Sequence, residues 1–216
     1  MVLVPLLGSF ILPVAGRISV RFRNILALVL VMVPFTLSWY FICSLMSGQA
    51  PFAFTSEFKV MSLNMSFGLL GDGLAMFMAM SSALLSVIIV FYSYGYIKEY
   101  QNQNEYYTMV VLFIGSMMGI ALSTNLVYIY IFWEISAVCC WRLIGFYRDD
   151  DFIRRADKAF LITVFGALVM LLGFIAIYQR TGTFDLTQMK GASVSNVCSS
   201  DLPRRPRRRC CMRQSW

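Results

Sequence analysis

Residues 25–46, ILALVLVMVPFTLSWYFICSLM, run for twenty-two positions without a charged side chain. A helix of that length, at about 1.5 Å per residue, matches the roughly 30 Å hydrocarbon core of a bilayer. Runs of this kind recur. Six apolar segments are expected as helices, at about 2–15, 25–46, 73–97, 106–122, 125–147 and 158–178. The first is short and holds Pro5 and Pro13; a secretory signal is its competing reading, but it has no basic stretch ahead of it and its arginines follow it. The chain is 59% hydrophobic and 13% charged, against roughly 45–50% and about 25% in soluble domains. The fold class is therefore an all-α integral membrane protein of about six transmembrane helices. The sequence contains no histidine, which removes His-ligated haem, His-based zinc sites and the Ser-His-Asp triad.

Lys and Arg set the orientation. Arg17, Arg21, Arg23, Lys98, Arg148, Arg154 and Arg155 fall in the three connections that share one side. Lys59, Arg180 and Lys190 fall on the other. The N-terminus is thus expected outside a prokaryotic plasma membrane and the seven-residue basic side in the cytoplasm. Residues 48–71 form the one long external connection, and the partial alternation of FKVMSLNMSFGL fits a short β-hairpin. Residues 148–158, RDDDFIRRADK, read as a solvated, self-compensating loop, with docking of a peripheral subunit as the other reading.

The last stretch differs in kind. Residues 192–216 carry six arginines, Arg204, Arg205, Arg207, Arg208, Arg209 and Arg213. One reading is a patch for anionic lipid heads. It conflicts with an outside location, so the expectation is that the native frame leaves off near Gly191 and the tail is unrelated. Without the tail, 12 basic residues face 10 acidic ones, a charge of +2 instead of +7, and the basic balance gives no reason to expect a nucleic-acid partner.

Cys43, Cys139 and Cys140 sit in apolar runs without metal-ligand spacing and read as small buried hydrophobes. Asp72 precedes Gly73 and is expected to cap the third helix. Gly115 and Gly119 form a G-x-x-x-G pair that permits close helix contact.

One residue does not fit an oily segment. Glu134 lies in YIFWEISAVCCWRLIGFY, about 12 Å from the outer end of its helix. A carboxylate at that depth costs several kcal/mol unless paired, protonated or wetted. It is either a structural acid bonded to a neighbouring helix or a proton- or ion-relay group facing a hydrated interior; intramembrane acids favour the second.

The surrounding words carry a resemblance. NLVYIYIFWEISAVCCWRLIGFY, ADKAFLITVFGALVMLLGFIAIY and TGTFDL, with FGLLGDGLAMFM and YSYGYI upstream, resemble the antiporter-like membrane subunits. These are the largest antiporter-like subunit of complex I, its counterparts in energy-converting hydrogenases, and the Mrp-type sodium/proton antiporters. The resemblance covers about residues 1–191, and FWEISAVCCW is most similar to the hydrogenase-associated branch. It implies that residues 1–72 supply two helices and an external loop, and that 73–191 begin a larger proton-translocating bundle. It also implies proton translocation through intramembrane Glu/Lys pairs, in a redox-driven complex or, alternatively, an Mrp-type cation/proton antiporter. Glu134 matches the family's fifth-helix glutamate and Lys158 a lysine at the mouth of the next helix. Lys158 can also snorkel to the cytoplasm or pair with Asp157. The chain itself is expected to hold no redox centre, metal or cofactor, and to work with other membrane subunits in the lipid bilayer. Val164 and Ala167 stand where some complex I members carry an arginine and an aspartate. The family's lysines in later helices have no equivalent here. Arg142 stands where the family has a small or apolar residue, and it is expected to snorkel or to be a sequence error.

Overall fold

The computed structural model describes residues 1–48, 52–60, 63–97, 102–147, 149–187 and 189. Lys98, Arg148, Lys190 and the tail at 192–216, on which parts of the orientation and reading-frame arguments rest, lie outside the described residues.

Six helices and one hairpin follow in order: α1 (Leu3–Ile18), α2 (Val20–Met46), β1 (Phe52–Val60), β2 (Leu63–Gly71), α3 (Gly73–Tyr96), α4 (Gln103–Leu122), α5 (Leu126–Ile144) and α6 (Asp150–Thr181). Among the described residues, α2 to α6 are long and apolar enough to cross a membrane, while α1 is shorter. The chain is an integral membrane protein built of helices.

Three helices start earlier than expected by three residues or more, each for a reason visible in the side chains. Helix α2 begins at Val20, five residues early, because Arg23 is buried among amides instead of solvated. Helix α4 starts at Gln103, whose side chain is one of those amides. Helix α6 begins at Asp150, so the charged stretch after Asp149 is helical and not a loop. Asp150 and Asp151 fall in its first turn, where the helix dipole favours anions. Arg154 and Arg155 follow each of them at i+4, the spacing that supports a helix.

Helix α4 is the centre. It packs against α1, α2, α3 and α5, and α6 lies outside against α5. Two clusters form the core. One, nearer the Ser19 end, gathers Leu12, Ala27, Val31, Val90, Tyr107, Val111 and Ile114. The other gathers Val2, Met76, Ala79, Ala83, Met118, Leu122 and Phe132. Small hydroxyls line the helix contacts: Ser9, Ser38 and Ser116 are fully buried, while Phe91 and Ile162 are 74% exposed. Large apolar groups outside and small or polar ones inside suit a solvent of lipid, where close backbone approach drives association.

The G-x-x-x-G pair serves two partners. A Cβ on Gly115 would lie 3.0 Å from the backbone nitrogen of Leu6 in α1. One on Gly119 would lie 2.6 Å from the ring of Phe132 in α5. The two glycines thus seat α4 between its neighbours.

The hairpin is longer than expected, with Phe52 opposite Gly71 and Val60 opposite Leu63. Two smaller expectations need correction. Asp72 occupies the N-cap position of α3, where its carbonyl accepts from the Met76 N–H at 2.8 Å, but its side chain makes no capping bond. Cys139 is buried as expected, whereas Cys43 and Cys140 are exposed; on a lipid-facing surface a thiol is as much at home as in a core.

Candidate functional site: an acid in the fifth helix

Helix α5 enters through a fixed turn. Asn125 caps it by accepting from the Val127 N–H at 3.0 Å. The Leu126 N–H donates to the Phe184 carbonyl at 3.0 Å, and the Leu186 N–H donates to the Thr124 carbonyl at 2.9 Å. On the other flank the Thr124 N–H donates to Gly68 in β2 at 3.0 Å. Buried Asp185 completes the turn, accepting from the Thr187 N–H at 3.0 Å and its hydroxyl at 2.8 Å. Hairpin, α4–α5 turn and the chain after α6 are therefore laced together at one end of the bundle.

Glu134 lies eight residues into α5 and is half-buried. Tyr130 stands one turn earlier on the same helix. The register of the neighbours follows from their contacts. Gly119 meets Phe132, and Tyr106 meets Phe146 at 5.4 Å between ring centres; α4 therefore presents residues near Ser116 and Met117 at the level of Glu134. On α6, Gly145 meets Ala156 and Trp141 meets Phe160 at 5.5 Å. That antiparallel register puts Val164 and Ala167 level with Glu134. The positions where some relatives carry charge are thus the ones facing this height, and here one is half-buried and apolar and the other is a buried alanine.

Lys158 is not brought to the acid. It lies in the third turn of α6, exposed, at the level of Arg142. Eight residues separate Arg142 from Glu134, about 12 Å along the axis. Asp157 accepts instead from the Trp141 indole N–H at 2.9 Å.

Arg142 has a partner that the sequence reading missed. It closes an ion pair with Glu105 in the first turn of α4, the one such pair among the described residues, and its guanidinium lies 5.5 Å from the Trp141 ring centre. It is therefore not a lone snorkelling cation. An arginine inside an apolar segment calls for an acid, and Glu105 is the acid at the facing end of the preceding helix. Beside it, Arg23 is 2% exposed. It donates to Asn24, Gln103 and Asn104 and lies 4.9 Å from the Tyr107 ring centre. Arg23, Glu105, Arg142, Trp141 and Asp157 thus tie α2, α4, α5 and α6 at the end opposite the laced turn.

The comparisons agree with this architecture. Residues 123–201 match the family model described as "NADH:quinone oxidoreductase/Mrp antiporter, TM", and residues 58–107 match "NADH-Ubiquinone oxidoreductase (complex I), chain 5 N-terminus". The protein named "Putative antiporter subunit mnhA2" from Staphylococcus saprophyticus subsp. saprophyticus is 32% identical over 176 residues, 79% of this chain and 22% of its own length. Its namesake in Staphylococcus aureus is 33% identical over 178 residues, 81% of this chain and 22% of its own length. The chain thus spans about a fifth of the length of these curated relatives. In fold it is similar to a chain of the Mrp complex from Dietzia sp. DQ12-45-1b, with TM-score 0.75, 24% identity, 93% of this chain and 21% of that one. It is similar also to a chain of the membrane-bound sulfane sulfur reductase, an archaeal respiratory membrane complex, with TM-score 0.75, 17% identity, 85% of this chain and 37% of that one. The chain belongs to the family of antiporter-like membrane subunits shared by NADH:quinone oxidoreductases and Mrp antiporters.

Proposed function

We propose that the chain is part of a proton-translocating subunit in a multisubunit, redox-driven membrane complex of the NADH–quinone oxidoreductase or energy-converting hydrogenase type, with Glu134 as its proton carrier. The observation that carries this reading is a half-buried carboxylate midway along a spanning helix, with no charged group level with it on α4 or α6. Such a group is costly unless it exchanges protons or meets a counter-charge. The register leaves the counter-charge to residues beyond α6 in the longer protein. Lys158, about two helical turns nearer the basic end, serves as the next station toward the cytoplasm. The electron chemistry belongs to partner subunits, and the N-terminus lies outside the prokaryotic plasma membrane.

A second reading, an Mrp-type cation/proton antiporter subunit, is favoured by the 32–33% identity to the mnhA2 proteins. One experiment tests both. Everted vesicles holding the full-length protein with its native partners are followed with a pH-sensitive dye. Acidification on adding the electron donor supports the redox-driven reading. Proton movement only on adding sodium or potassium supports the second. Neither response, with the complex assembled, overturns both.

A further inference from the structure

We infer that Glu105 is a positioning residue for Glu134: by neutralising Arg142 it keeps a bare cation off the helix that carries the acid. This rests on the reading of Glu134 as a proton carrier. Arg142 is the one cation of α5, and its guanidinium is held between Glu105 on α4 and the face of Trp141. The other charged groups on the helices against α5 lie at their ends. Helix α4 contributes Glu105 alone, with Tyr106 and Tyr107 beside it. Helix α6 contributes Asp150, Asp151, Arg154, Arg155, Asp157 and Lys158 at one end and Arg180 at the other. The two at the level of Arg142, Asp157 and Lys158, sum to zero. On α5 the titratable neighbours of Glu134 are Tyr128, Tyr130, Cys139 and Cys140, all without charge at neutral pH. The balance felt by Glu134 along its own helix is therefore set by the Glu105–Arg142 pair.

The size of the effect follows from Coulomb's law. A unit cation about 12 Å away, at an effective dielectric of about 20, changes the proton affinity of a carboxyl by roughly tenfold. Closed onto Glu105, the pair acts as a dipole and most of that field cancels. Released, Arg142 holds Glu134 ionised and opposes proton uptake.

The test is labelling of Glu134 by dicyclohexylcarbodiimide, which reacts with protonated carboxyls in apolar surroundings. The full-length protein is labelled in native membranes at one fixed pH and read by mass spectrometry on the peptide holding Glu134. Glu105→Gln should lower labelling about tenfold. Glu105→Asp, which keeps the charge, should stay near wild type. The double variant Glu105→Gln/Arg142→Met should return to wild type, an outcome that a purely structural tie between α4 and α5 does not give. Should Glu105→Gln fail to assemble, Arg142→Met alone carries the test with opposite sign, since it removes the cation while Glu105 keeps its carboxylate, and labelling rises. Wild-type labelling in Glu105→Gln, or a double variant as poor as the single one, overturns the inference. Labelling does not depend on transport, so failure of the proton-carrier reading shows separately, as wild-type protein that moves no protons.

Discussion

Replacing Gly119 by alanine puts a methyl group 2.6 Å from the ring of Phe132, well inside ordinary van der Waals contact. The ring is stiff and sits in the core beside Met118 and Leu122, so either its rotamer or the α4–α5 distance must give. Overpacking of this kind costs about 1–3 kcal/mol. The same substitution improves helix propensity by about 1 kcal/mol, which blurs a comparison with wild type. Gly173→Ala in α6 removes the blur, because a Cβ there meets nothing within 4 Å and the propensity gain is shared. The difference between the two variants then isolates the packing term. At about 2–4 °C per kcal/mol for a chain of this size, Gly119→Ala should melt roughly 2–12 °C below Gly173→Ala. The assay is fluorescence-detected size-exclusion after heating the 216-residue chain in one detergent. Equal melting, or a more stable Gly119→Ala, refutes the close α4–α5 seating and the register derived from it.

Two further outcomes follow from the ends of the bundle. Arg23→Met should cost about 2–3 kcal/mol, the scale of hydrogen bonds to a charged group. Arg23→Lys should recover little of it, since an ammonium cannot reproduce the guanidinium fork to Asn24, Gln103 and Asn104; the same melting assay checks both. For orientation, a single cysteine at position 56 in β1 should react with an impermeant thiol reagent from outside and one at position 151 in α6 only from the cytoplasm, in a background free of other cysteines. The reverse pattern contradicts the proposed topology.

The apolar segments were legible because the bilayer demands about 20 consecutive apolar residues, a signal that survives any detail of packing. The starts of α2 and α4 failed where a polar group found a partner distant in sequence. Arg23 extended α2 by joining Gln103 and Asn104, some eighty residues on, and no local pattern announces that. Arg142 misled for the same reason: read alone it looks like an intruder, and only the fold brings Glu105 to it. The glycine pair was visible as spacing, but spacing does not say that one glycine faces α1 and the other α5. Glu134 stood out because an acid in an apolar run has few bland explanations. Its distance from Lys158 depends on the antiparallel register of α5 and α6, set by Trp141, Gly145, Ala156 and Phe160.

Glu134→Gln is the most direct test of the central claim. The amide keeps the shape and removes the charge, so the complex should assemble as wild type. It can neither take up nor release a proton, so proton translocation should fall by about a hundredfold or more, while Glu134→Asp, which shortens the reach by one methylene, should retain part of it. Lys158→Met, run alongside, should be intermediate if that lysine is the next station and silent if it only snorkels. The measurement is proton uptake into everted vesicles holding the full-length protein in its native complex, with assembly checked on the same membranes. Loss of uptake at normal assembly is the predicted result; full uptake by Glu134→Gln would reduce the residue to a structural acid and contradict the account.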